Sequence, residues 1–249
     1  MGKAIAITNQ KGGVGKTTTA LGLAAGLKAE GKKVLLVDMD AQGNASAAAG
    51  LIIENELKTV KDLLAERAAP EQFIVRTEMI DIIPSNNSLK DLERDLIDND
   101  DFEILKNVLK PLRAKYDFIL IDCPPSINSF TKNALAAADE VIIPVDVSFF
   151  AILGLKQLLE EIEFIKRDLN PRLRLRGVLA CKYDRRNNLS EQVLQTLKAN
   201  FPDKFFQTVI RVNIDIVKAQ IAQVDIFKYN ARSYGAEDYL ALTQEIING

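Results

Sequence analysis

Asn9-Gln-Lys-Gly-Gly-Val-Gly-Lys-Thr-Thr18 joins a short apolar run, Lys3–Thr8, to a helical pattern. Its glycines let backbone N–H groups turn inward around an anion, and the helix that follows adds the positive end of its dipole. Gly12, Gly13, Val14, Gly15, Lys16, Thr17 and Thr18 are therefore the expected phosphate cradle. Lys16 is expected at the β- and γ-phosphates of a nucleotide and Thr17 on Mg²⁺. The common form of such a loop has a glycine five positions before Gly15, but Gln10 stands there and Lys11 follows it. A loop wrapped around its own nucleotide already has Lys16. Lys11 is then a second cation without a local task, best used on a partner's phosphates.

Outward from the loop, Thr17–Glu30 reads as a helix with Leu21, Ala24 and Leu27 on one face, ended by Gly31. Val34–Asp38 is an unbroken apolar run, the pattern of a parallel strand covered on both faces. Strand, phosphate loop, helix and strand make a right-handed βαβ unit. Ile80–Ile83, Phe118–Asp122, Val141–Val145 and Leu175–Cys181 repeat the strand signal with helical stretches between them. The expected fold is α/β: a doubly wound, mostly parallel sheet of seven or eight strands flanked by helices, of the P-loop NTPase type, in a single domain spanning 1–249. Ala45–Gly50 reads as a tightly packed helix start. Residues 51–78, with Leu57, Val60, Leu63 and Leu64 at helical spacing, suggest a surface helix. Asp98-Asn-Asp-Asp101 reads as a solvated helix start, and a helix from about Ala236 to Ile247 closes the chain.

The 249 residues are 47% hydrophobic and 27% charged, enough for a large core. A net charge of −2 gives no overall polyanion signal, so nucleic-acid contact requires a local patch. Two cysteines, Cys123 and Cys181, are too few for a disulfide framework or a metal knuckle. Without a long apolar run or a signal-peptide pattern, the expected compartment is the cytoplasm and no membrane partner is expected. There is no histidine. Chemistry must therefore rest on carboxylates, lysines, backbone dipoles and a hard cation. Asp122 ends an apolar strand where it can hold an Mg²⁺-bound water, and the rigid Pro124-Pro125 after it suits a segment that reads a γ-phosphate. Asp38 and Asp40 leave their strand beside the phosphate loop. A carboxylate that orients water suffices for phosphoryl transfer, which depends on positioning and charge stabilisation. Cys123 reads as a buried small side chain.

Three motifs, KGGVGKTT at 11–18, VDMDAQGN at 37–44 and FILIDCPPS at 118–126, resemble the ParA/Soj group of deviant Walker ATPases, which position bacterial DNA and other cargo. The resemblance runs over essentially the whole chain and weakens after about residue 145. It implies an ATPase of weak intrinsic turnover that uses ATP and Mg²⁺. Lys11 would cross a two-fold interface to the other subunit's ATP, making an ATP-dependent homodimer the signalling state. Asp40 would orient the attacking water, with Asp38 behind the metal rather than on it. A ParB-like adaptor would accelerate hydrolysis, and the dimer would bind DNA irrespective of sequence, in the cytoplasm on the nucleoid.

Between Arg174 and Arg232 lie eleven basic against five acidic residues. Such a local excess attracts DNA phosphates in a salt-dependent way, and doubling it in a dimer strengthens the grip. Arg185 and Arg186 are the leading DNA-binding candidates, followed by Lys182, Arg211 and Lys218. Family members typically read Ile-Pro-Arg-Asn, then Arg, then Ser-Glu-Ala-Pro-Ser where this chain reads Ile210-Arg-Val-Asn-Ile-Asp215-Ile-Val-Lys218-Ala-Gln-Ile221. Asn213 alone stays in register and is expected on the nucleotide. Pro144-Val-Asp-Val-Ser-Phe-Phe150 and Leu153 also lack the glutamine and glutamates of relatives. A MinD-like membrane helix is opposed by Glu237–Gly249, which has no lysine or arginine. An iron–sulfur relative needs matched cysteines at a dimer seam. A bacterial tyrosine kinase would need a tyrosine-rich tail. The surviving alternatives are a metabolic ATP-dependent ligase on the same fold and an ATPase scaffold acting on a protein without DNA.

Overall fold

A computed structural model describes residues 2–51, 57–148 and 151–249, and only the backbone of 151–153. Its strands are β1 (Lys3–Ile7), β2 (Val34–Asp38), β3 (Val75–Arg76), β4 (Asp81–Ile83), β5 (Phe118–Asp122), β6 (Glu140–Asp146), β7 (Arg174–Tyr183) and β8 (Ile210–Arg211). The helices are α1 (Lys16–Ala29), α2 (Asn44–Ala48), α3 (Val60–Glu66), α4 (Glu93–Asp98), α5 (Ile104–Leu109), α6 (Ser129–Ala137), α7 (Ala151–Asp168), α8 (Asn188–Asn200), α9 (Ile214–Ile221), α10 (Ile226–Asn230) and α11 (Tyr234–Asn248). One eight-stranded sheet runs in the order β3-β4-β2-β5-β1-β6-β7-β8, parallel throughout except for the antiparallel β3 at its edge.

The apolar runs are unbroken because both faces of the sheet are covered. Ala4 and Ala6 of β1, Leu35 and Val37 of β2, and Ile119 and Ile121 of β5 join a core shared with α3 to α8. The intervening Ile5, Ile7, Leu36 and Leu120 join a second core shared with α1 and α11. Alternation at period two thus feeds two hydrophobic layers. On the second face, α11 lies against α1 through Gly22 and Gly26. A Cβ at Gly22 would stand 2.6 Å from the Tyr239 ring, and one at Gly26 would stand 2.1 Å from the Thr243 hydroxyl. Both glycines are needed for that close approach, which fixes the helix that carries the phosphate loop.

Register decides where the acids fall. Asp122 sits opposite Asp38 on one side and Ile7 on the other, at the carboxyl ends of the strands. The chain leaves β1 into the phosphate loop beside it, at the edge where open α/β sheets bind ligands.

The helix expected within 51–78 is α3, which buries Val60, Leu63 and Leu64 and exposes Ala65 and Glu66, with Leu57 ahead of it. Residues 52–56 of that stretch lie outside the described residues, as do Phe149 and Phe150. The acidic cluster at 98–101 is no helix start. It ends α4, with Asp100 in the left-handed region at φ 54° and Asp101 paired to Arg67 at 2.6 Å.

Candidate functional site

The phosphate loop is built by backbone conformations that glycine supplies. Gly13 and Gly15 have φ of 73° and 103°, and Gly15 caps α1 in the left-handed region. Nothing fills the space where a Cβ of Gly12 or Gly13 would lie, so an anion can approach the backbone there. Val14 is buried beneath the turn. Asn9, for which the motif predicts no role, pins the entry: its Nδ2 donates to the Pro144 carbonyl at 2.7 Å and its Oδ1 accepts from the Lys11 N–H at 3.0 Å.

Lys16 is buried and donates to the Lys11 carbonyl at 3.2 Å. Burial lowers its pKa against the opposing pull of Asp122, Cys123 and Asp40. Lys11 does something different. Its Nζ reaches Asp146 Oδ2 at 2.6 Å and Ser148 Oγ at 3.1 Å, away from the loop it belongs to. These two lysines, five residues apart, thus serve different places.

A cleft of about 770 Å³ opens over the loop, lined by Gly12, Gly13, Gly15, Lys16, Thr17 and Thr18 on one side and by Asp40 and Pro125 among others. This volume is of the size that holds a nucleotide. Grooves of about 620 Å³ around Phe102 and 990 Å³ along Lys33 and Arg76 have no glycine loop at a helix N-terminus.

The three acids have separate surroundings. Asp38 is fully buried. Its Oδ1 accepts from the Asp40 N–H at 3.1 Å, and its Oδ2 accepts from the Ser46 N–H and hydroxyl at 3.0 and 2.7 Å. Burial pushes its carboxyl up to about 6, against those hydrogen bonds. Asp38 therefore holds the loop that carries Asp40. Asp40 lines the cleft, with its Oδ1 accepting from the Gln42 N–H at 2.9 Å. Asp122 is fully buried, and neither carboxyl oxygen has a hydrogen-bond partner. Burial first, and the Asp38 carboxyl second, push it well above the usual range, while Thr17 and Lys16 pull the other way. An orphaned buried carboxyl next to Thr17 fits a hard cation or the water such a cation holds. Cys123 and Cys181 are buried and free, with both thiols pushed up by burial.

The cations expected on DNA divide. Lys182, in the left-handed region at φ 56°, is exposed at the rim of the cleft over the phosphate loop. Arg211 is paired within the chain. It donates to both Asp238 oxygens and to Glu237, and its guanidinium lies 4.1 Å from the Tyr234 ring centroid, so its charge is committed inside the chain. Arg186 pairs with Asp184 at 2.9 Å. Arg185 and Lys218 are exposed and form no ion pair among the described residues. Asn213 caps α9 by accepting from the Asp215 N–H at 2.7 Å, and it does not line the cleft.

The AAA domain family matches residues 2–175. The chain is 43% identical to sporulation initiation inhibitor protein Soj of Bacillus subtilis over 99% of its length and 98% of that protein's. It is 39% identical to chromosome partitioning protein ParA of Myxococcus xanthus, over 99% of this chain and 88% of that one. Cobyrinic acid a,c-diamide synthase from Mycobacterium smegmatis, solved with bound ADP and magnesium, superposes with a TM-score of 0.82 at 32% identity, over 100% of this chain and 95% of that one. No helix among the described residues is long and apolar enough to cross a membrane. With a phosphate loop of this form at the carboxyl edge of a doubly wound sheet, and relatives of this identity along its length, the chain belongs to the ParA/Soj family of partition ATPases.

Proposed function

We propose that the protein is an ATP-dependent dimerisation switch that binds DNA without sequence preference as an ATP sandwich dimer, and that slow hydrolysis, speeded by a ParB-like adaptor, resets it. The observation that carries this reading is the position of Lys11. Lys16 turns back to its own loop, where it donates to the Lys11 carbonyl, whereas Lys11 rests on Asp146 and Ser148. That contact is half exposed, with side-chain exposures of 45% and 21%, and such pairs are worth at most about 1 kcal/mol. Lys11 can therefore be released to a second copy's γ-phosphate at little cost. ADP offers no such target.

Within one ATPase domain, the N–H groups of Gly12 to Lys16 would hold the phosphates and Lys16 would meet the β- and γ-oxygens. Thr17 and Asp122, the latter through water, would hold Mg²⁺, which when bound neutralises charge on those oxygens. Asp40 would orient the attacking water. Lys11→Ala is expected to abolish the dimer formed with ATP while changing nucleotide affinity by less than about tenfold, because Lys16 and the loop backbone remain. Sedimentation with ATP and with ADP reads the outcome; a variant that dimerises normally with ATP removes the cross-subunit role.

For DNA, the exposed Arg185 with Arg186 on the rim after β7 supports a contact to phosphates. Arg185→Glu with Arg186→Glu is expected to weaken binding to mixed-sequence duplex by about tenfold or more and to flatten its salt dependence. Titrations at two salt concentrations with ATP test this, and unchanged binding would move the DNA surface elsewhere. The metabolic reading has one observation in its favour, the likeness to an amide-forming synthase at 32% identity. Hydrolysis that responds to DNA and adaptor favours the switch. Rapid turnover that depends on a small-molecule carboxylate favours the ligase.

A further inference from the structure

Helix α9 turns an apolar ridge to solvent. Ile214, Val217 and Ile221 are spaced so that they share one side of the helix, and they are 63%, 48% and 78% exposed. Val212, just ahead, is 58% exposed. The other side docks the helix: Ala219 is buried, Ile216 lies over Gly235, and Gln220 Nε2 donates to the Thr18 hydroxyl at 3.3 Å. The helix is thus anchored to α1 and α11, and its ridge faces outward from a fixed position. Single exposed apolar side chains are ordinary, whereas three along one ridge, with a fourth just ahead of the helix, mark a contact surface.

We infer that this ridge is the apolar part of the seam over which a second copy of the chain closes when ATP is bound. The inference rests on the dimer reading above and names the surface that reading leaves unspecified. Val217 and Ile221 line the same cleft as Gly12, Lys16 and Thr17. A second copy that brings its Lys11 to these phosphates must pass over the mouth of the cleft and therefore over the ridge. The four side chains expose on the order of 400 Å², about half of what one partner contributes to a standard interface. That area is too small to hold a dimer alone, which suits an association that waits for a nucleotide. A two-fold related copy presents the same ridge in return. Beside the ridge stand Lys218, Asp215, whose Oδ2 accepts from Asn230 Nδ2, and Lys182, which lines the same cleft.

The test uses the full chain with Mg²⁺ and a non-hydrolysable ATP analogue. Val212→Asp with Ile214→Asp changes two exposed positions that do not line the cleft. The dimer dissociation constant is expected to rise by about thirtyfold or more while thermal unfolding of the monomer and its analogue affinity stay near wild type. In a second arm, Ile214→Cys is treated with a short bis-maleimide. The native Cys123 and Cys181 are 1% and 3% exposed, so the new thiol alone is accessible. A cross-linked dimer is expected with the analogue and not with ADP. If wild type dimerises and the double variant dimerises equally well, the ridge lies outside the seam and the dimer reading stands without it. A wild-type chain that stays monomeric with the analogue overturns both. Flotation with phosphatidylglycerol vesicles is the third arm. Vesicle binding that the double variant loses while still dimerising assigns the ridge to lipid and overturns the inference.

Discussion

Asp40→Ala is expected to slow ATP hydrolysis by about 100-fold or more, near 3 kcal/mol of transition-state stabilisation, while the nucleotide stays bound and the dimer persists. Asp40 is the carboxylate that lines the cleft with its position set from both sides. Its own N–H donates to Asp38, and its Oδ1 accepts from the Gln42 N–H. Asp38 is in turn tied to Ser46 by two hydrogen bonds. An attacking water gains most from a partner that need not reorganise, because phosphoryl transfer is limited by alignment and charge rather than by base strength. Alanine removes the acceptor and leaves the loop, since Asp38 still meets the backbone N–H of residue 40. Phosphate release at saturating ATP, beside sedimentation of the same sample, separates the two effects. Undiminished release would take Asp40 out of the mechanism, and loss of the dimer would make it an interface residue instead.

Much of this architecture is legible in the amino-acid sequence, for a physical reason. A strand buried on both faces has to be apolar at every position, so β2, β5 and the middle of β6 and β7 stand out as continuous runs in a chain that is 27% charged. The phosphate loop is legible because its pattern is local: the glycines, Lys16 and Thr17 stand within a few residues of one another. β3 and β8 have two residues each, too short for any period to register. Gly22 and Gly26 look like helix-weakening residues until Tyr239 and Thr243 arrive from the far end of the chain.

Long-range pairing hides the rest. Arg211 counts as a free cation in any tally of charges, but its partner Asp238 lies 27 residues further on. The Asp146 carboxylate that holds Lys11 lies 135 residues away. Lys182 follows an apolar run in the sequence, and the fold sets it at the rim of the cleft with its backbone in the left-handed region. The acids at 98–101 mimic a helix start in composition. Helix α4 has already begun at Glu93, so the same residues fall at its C-terminus, where acidic charge gains nothing from the helix dipole. Charge counts locate a patch, but a buried counterion decides which of its members can leave it.

Asp122→Asn is expected to stabilise the metal-free chain while weakening its response to Mg²⁺-nucleotide. Neither Asp122 oxygen has a partner, and burial with the neighbouring Asp38 drives its carboxyl towards the neutral form. Asp38 is pushed the same way, to about 6 from an ordinary 3.8, a displacement worth about 3 kcal/mol. Raised carboxyls mean that the folded chain holds protons the unfolded chain releases. Their stabilising effect is complete below the ordinary carboxylate range and is lost as pH rises through 6 and beyond. Carboxyls shifted downwards, such as Asp184 at about 2, titrate below this window. The metal-free wild type should therefore melt several degrees higher at pH 5.5 than at pH 7.5, since about 1 kcal/mol moves the midpoint of a chain this size by about 2–4 °C. Asparagine at 122 keeps the shape and takes away one ionisable group from the pair. The variant should melt about 2–4 °C above wild type at pH 7.5, with a shallower dependence on pH and a smaller further gain than wild type when Mg²⁺ and nucleotide are added. Calorimetry at both pH values, with and without Mg²⁺-nucleotide, measures all three. A variant that melts below wild type at pH 7.5 would mean that the Asp122 carboxylate is stabilised in the metal-free chain, and the case for it as a charge waiting for a cation would fail.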